Sequence, residues 1–158
     1  MPFCYTGSLA TAANTATSGS ANTEVEVFFI KAGATRSSSL YAIDVIGKGA
    51  GLTALSGIGF RLIRWATAST AGTSLTPQPQ DPGAQAYTGT SASAPTAGTT
   101  RTNRAVFGCG AAGPGGWWAK NQDAAHVLPG ANAASFDLIS VSGTTSLNFE
   151  WAFEVSEG

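Results

Sequence analysis

Polar and apolar positions alternate most cleanly between residues 146 and 155. Leu147, Phe149, Trp151, Phe153 and Val155 take one parity, and Asn148, Glu150, Ala152 and Glu154 take the other. A period of two predicts a strand with one buried and one wet face; a helix would spread these aromatics around its barrel. Residues 24–30 begin in the same way (Glu24, Val25, Glu26, Val27) and end as Phe28-Phe29-Ile30, apolar on both faces. Residues 40–46 set Tyr41, Ile43 and Val45 against Asp44, and residues 58–65 alternate until Ile63, where a bulge or a change of sheet is expected. Residues 136–141 run into Ser142-Gly143-Thr144, a hairpin turn toward the last strand. Weaker strands fit residues 3–6, 101–107, 117–120 and 126–128, and no capped amphipathic helix emerges. The pattern predicts an all-β chain: one domain over residues 1–158, a jelly-roll-like antiparallel β-sandwich of about eight strands. An immunoglobulin-type domain is disfavoured, because Cys4 and Cys109 lie too far apart and the tryptophans are misplaced.

Two stretches do not fit a minimal sandwich. Residues 7–22 are rich in Ser, Thr and Ala, and residues 71–100 carry the run Thr76-Pro77-Gln78-Pro79-Gln80-Asp81-Pro82-Gly83. Each proline removes a ladder donor and favours extended geometry. Connections of this length are usually functional or disordered. The two readings are a floppy surface loop and an arm ordered against a neighbouring subunit.

Composition narrows the function. Charged residues are 11% of the chain against 43% hydrophobic, with a net charge of −1. Ser, Thr, Asn, Gly and Ala fill the difference, so the surface is small and neutral. The cations form no stripe, which argues against nucleic acid as a partner. The longest apolar run, Val27 to Ile30, is too short for a bilayer helix, and the first residues do not read as a signal peptide. The chain is thus expected to be made in a cytoplasm and to bind no membrane.

Chemistry has few candidates. Two cysteines and the single His126 cannot assemble a four-ligand zinc site, and the thiols are expected to be reduced. No nucleophile-elbow motif surrounds a serine, so His126 reads as a surface residue rather than a catalytic base. Glu150 and Glu154 share a strand face with Cα atoms roughly 13–14 Å apart, and Glu24 and Glu26 read as a solvated strand edge. Neither pair suggests a glycosidase. The segment Gly108-Cys109-Gly110-Ala111-Ala112-Gly113-Pro114-Gly115-Gly116-Trp117-Trp118 lacks the Lys-Ser/Thr of a phosphate loop and reads as a tight irregular turn. Trp117 and Trp118, adjacent on a strand, face opposite sides, so one can enter the core while the other projects as a hot spot or a sugar platform. No catalytic residue, cofactor or metal is expected. The candidate interface residues are Pro77, Gln78, Pro79, Gln80, Pro82, Trp117 and Trp118.

Four segments together resemble small virion structural proteins of tailed bacteriophages, of the head-decoration (cement) type. They are residues 61–73 (opening Arg61-Leu62-Ile63-Arg64-Trp65), the run from Thr76 to Gly83, residues 107–117, and residues 142–150 (Ser142-Gly143-Thr144-Thr145-Ser146-Leu147-Asn148-Phe149-Glu150). They span about a third of the chain, and none carries a reaction. The resemblance implies a non-enzymatic subunit made in the bacterial host and placed in the virion. Its partners would be the major capsid protein or other virion proteins, and further copies of itself, a trimer being favoured. A tail or fibre component and a jelly-roll carbohydrate-binding module are the alternatives.

Overall fold

The computed structural model describes residues 3–9, 24–48, 57–110, 114–121, 124–141 and 148–158. The turn at residues 142–144, most of the stretch at 7–22 and Ala111 to Gly113 lie outside them. Among the described residues the chain forms β1 (Phe3–Leu9), β2 (Glu24–Lys31), β3 (Ser38–Lys48), β4 (Gly57–Thr67), β5 (Thr73–Ser74) and β6 (Gln78–Pro79). It continues through β7 (Thr90–Ser93), β8 (Thr99–Gly110), β9 (Pro114–Trp118), β10 (His126–Leu128), β11 (Ser135–Val141) and β12 (Asn148–Glu157).

The pairing is nested and antiparallel. β4 pairs β8, β3 pairs β9 and β10, β2 pairs β11, and β1 pairs β12. This is one long hairpin, rolled so that β12 also meets β3 and β11 also meets β4. Sheet I runs β10-β3-β12-β1-β6 with β9 beside β10 on β3, and sheet II runs β5-β7-β2-β11-β4-β8. The principal strands therefore interleave between two sheets in jelly-roll order. The fold is the expected β-sandwich.

The core lies between the sheets. From sheet I come Tyr5, Ile43, Val45, Phe149, Trp151, Phe153 and Val155; from sheet II, Phe28, Ile30, Phe60, Leu62, Phe136 and Leu138. Phe28 stacks on Trp151 at 4.6 Å and lies 5.0 Å from Phe153, while Phe60 meets Phe149 edge-on at 5.0 Å. The alternating residues of β12 thus supply the inner face of sheet I, as their period demands.

The bulge expected near Ile63 is present, while other local expectations change. β11 and β12 make no hairpin, because β11 pairs within sheet II and β12 within sheet I. The irregularity expected near Ile63 is a register shift in the β4–β8 pairing: Leu62 faces Ala105 and Ile63 faces Asn103, leaving Arg104 as the extra residue. Four glycines before Trp117 lie in strands: Gly108 and Gly110 end β8, while Gly115 and Gly116 lie within β9; the turn expected between them falls at residues 111–113, outside the described residues. A Cβ at Gly115 would collide with the Gly108 carbonyl, so the two backbones approach where only glycine fits. Residues 71–100 are not structureless, since they contain β5, β6, β7 and the start of β8.

Trp151 is 3% exposed, and its buried indole N–H has no hydrogen-bond partner, so packing alone is its contribution. Trp151→Ala is expected to lower stability by about 3–5 kcal/mol, read as a shifted urea midpoint. A change within about 1 kcal/mol would contradict the central place of this ring.

Candidate interface surfaces

The excursion between β4 and β8 is bound to its own domain. β6 pairs with β1 at Tyr5 and Thr6, and β7 pairs with β2 from Phe28 to Lys31. It therefore covers the outer strand edge of both sheets on one side of the sandwich, edges that would otherwise template aggregation. Side chains fasten the excursion. Tyr5 donates its hydroxyl to the Gln85 carbonyl at 2.9 Å, and Tyr87 donates to the Lys31 carbonyl at 3.3 Å. Oε1 of the buried Glu157 accepts from the Thr88 N–H (2.9 Å), the Thr88 hydroxyl (2.7 Å) and the Gly89 N–H (3.1 Å). Arg36 lies 3.8 Å from the other oxygen of Glu157 and donates to Gln85.

The candidate residues separate into two groups. Pro77 is buried and Pro79 half-buried against β1, whereas Gln78, Gln80 and Pro82 are exposed. This run lies at the β1 edge of sheet I, while Trp117 and Trp118 lie on β9 at the opposite edge. Trp117 turns inward, stacked on His126 at 4.6 Å and packed against the core. His126 is half-buried there, not a free surface residue, and burial pushes its imidazole below the ordinary value.

Trp118 is the outward ring, 57% exposed. Three register rows place nine residues on the outer face of sheet I: Trp118, Ala42 and Glu154; Gly116, Asp44 and Ala152; Pro114, Ile46 and Glu150. The Trp118 indole N–H donates to Asp44 Oδ1 at 3.0 Å, and its six-membered ring lies where a Cβ of residue 116 would be. Glycine at 116 and aspartate at 44 hold the ring down on the sheet. Ile46 is 50% exposed on the same face, three of the nine residues are acids, and the next row adds Lys48 opposite Asn148.

Sheet II buries most of its outer face, leaving Val106 exposed on β8. Phe29, Ile63, Asp137 and Ile139 are buried there. Glu24 binds Arg61 at 2.6 Å and also pairs with Arg101, spanning from β2 to β4 and β8. Asp137 accepts hydrogen bonds from the hydroxyls of Ser69 and Ser135, with a buried Trp65 indole beside it. Glu26 is not part of a solvated edge: it is half-buried and hydrogen-bonds Asp137. Burial and the neighbouring Asp137 push the Glu26 carboxyl up to about 8. Burial raises Asp137 to about 6, opposed by its hydroxyl donors. At neutral pH the protonated Glu26 therefore donates to a carboxylate. Pattern reasoning missed this pair, and the available signal was an aspartate inside the otherwise apolar run Phe136 to Ile139.

Cys4 is exposed and Cys109 buried, and both are free thiols. Two grooves of about 350 and 440 Å³ flank Lys31, walled by small residues such as Gly33, Ser69, Gly72 and Thr90. No acid lines either groove.

Fold and faces define an antiparallel jelly-roll sandwich with one largely buried outer face and one open outer face richer in acids. No family model and no curated protein matches the chain. Among solved structures, a chain of the infectious bursal virus derived T=1 particles aligns over 98% of this chain at 14% identity, with a TM-score of 0.29. The alignment spans 40% of that chain's length, and a superposition this loose assigns neither a shared fold nor a function.

Both members of the acid pair hold their protons more tightly when folded than when unfolded. Their contribution is therefore fully present below about pH 4 and is lost as pH rises through about 6 and then about 8. The melting temperature is expected to fall between about pH 5 and pH 9, and to fall less in Glu26→Gln, which keeps a donor toward Asp137. An equal fall in the variant would show that the pair does not titrate as described.

Proposed function

We propose that the chain is a non-enzymatic virion structural protein, a decoration subunit that stabilises a phage head through subunit contacts. The observation that carries the reading is the contrast between faces. Sheet II ties much of its outer face into ion pairs and hydroxyl bonds, with Val106 exposed at its β8 end, while sheet I leaves Trp118 and Ile46 exposed on its open face. Bare aromatic and aliphatic side chains held on a stiff sheet bind partners at low entropic cost. The four segments that resemble phage decoration proteins support the same reading, as does a surface poor in charge. The partners would be the major capsid protein and further copies of the chain, with a trimer capping a local threefold axis. Synthesis would take place in the bacterial host.

Particles with and without the subunit, heated or moved to low salt, test the role. Greater genome retention in decorated particles is expected; equal retention would remove the decoration role, and labelled virions in the electron microscope would then separate tail from head. A carbohydrate-binding module is the second reading, favoured by the exposure of Trp118. It requires retention on a glycan array that Trp118→Ala abolishes.

A further inference from the structure

Charge is segregated between strand pairs. β4 and β8 hold Arg61, Arg64, Arg101 and Arg104, half of the chain's eight Lys and Arg, and no acid. The outer face of sheet I holds three acids, Asp44, Glu150 and Glu154, against one cation at its end, Lys48 opposite Asn148. Glu24 answers Arg61 and Arg101, whereas the bulge residue Arg104 is exposed on the outermost strand of sheet II. Residues 99–104 are all exposed, and two positions beyond Arg104 Val106 is 73% exposed. Unlike the β1 and β2 edges, which β6 and β7 partly cover, β8 pairs only with β4 among the described residues. One molecule thus presents a basic edge carrying a bare valine and an acidic face carrying a bare tryptophan and isoleucine.

We infer that copies of this chain associate through unlike surfaces, the basic β8 edge of one copy docking on the acidic outer face of sheet I of another. A twofold contact between identical faces would set Glu150 and Glu154 against acids, or Arg104 against arginines. Docking of the edge on the face brings opposite signs together, and a head-to-tail version of that contact closes into a ring when its rotation permits. The exposed indole face of Trp118, among carboxylates, suits a guanidinium better than a neutral sugar. Val106 meets an apolar counterpart in Ile46 or Trp118. The inference rests on the proposed role of sheet I's outer face in packing, but not on the presence of a phage head.

The test is sedimentation velocity of the purified full chain at several concentrations and two ionic strengths. The expected result is concentration-dependent association that salt weakens, since screening acts on exposed charges. Glu154→Lys and Arg104→Glu should each weaken association by roughly fivefold or more, and both reversals in one chain should restore it. Near-UV circular dichroism checks that each variant is folded, and Glu154→Gln with Arg104→Gln replaces any reversal that is not. A chain that stays monomeric up to about millimolar concentration, an association indifferent to both reversals, or a double variant as weak as the singles would each overturn the inference. Shell binding is read separately: a chain that associates by these faces yet ignores shells sustains the inference and removes only the decoration role.

Discussion

Both sheets depend on the inner face of β12. That strand lies between β1 and β3 in sheet I, and its Phe149, Trp151 and Phe153 reach the rings of Phe28 and Phe60 in sheet II. Aromatic side chains bury large areas in defined geometries, so one strand both completes a sheet and joins it to the other. Wrong pairing of β12 would turn these rings to water, because a slip of one residue exchanges the faces of a strand. The other nested pairs, β2 with β11 and β4 with β8, then set the opposite wall.

A rolled hairpin leaves strand edges on two sides, and this protein treats them differently. On one side the excursion between β4 and β8 returns to pair with β1 and β2, fastened by Tyr5, Tyr87 and the buried Glu157. On the other side β8 carries arginines instead of a covering strand. Covering protects the fold from unplanned pairing, and charge performs the same service while remaining available to a partner. The bulge at Arg104 further interrupts the regular ladder on that edge.

The faces follow the same division. Sheet II spends its polar groups internally, with Glu24 tied to two arginines and Glu26 and Asp137 sharing a proton among serine hydroxyls. Sheet I leaves its carboxylates beside exposed apolar side chains. A chain of net charge near zero can therefore present surfaces of opposite sign.

Period-two patterning by itself determined the long strands and the sandwich, though not β5, β6 or β7: residues 149–155 of β12 alternate in burial as the pattern assigns. Adjacency also settled that Trp117 and Trp118 face opposite ways, because consecutive strand residues must. Which ring points out came from the register of β9 on β3, where Trp117 sits opposite the core residue Ile43. The separation of β11 from β12, the Glu26–Asp137 bond and the joining of Glu24 to Arg101 likewise came only from tertiary structure. Each depends on contacts between residues distant in sequence. Local periodicity fixes the direction of a side chain relative to its own strand, but not the strand or segment that it will meet.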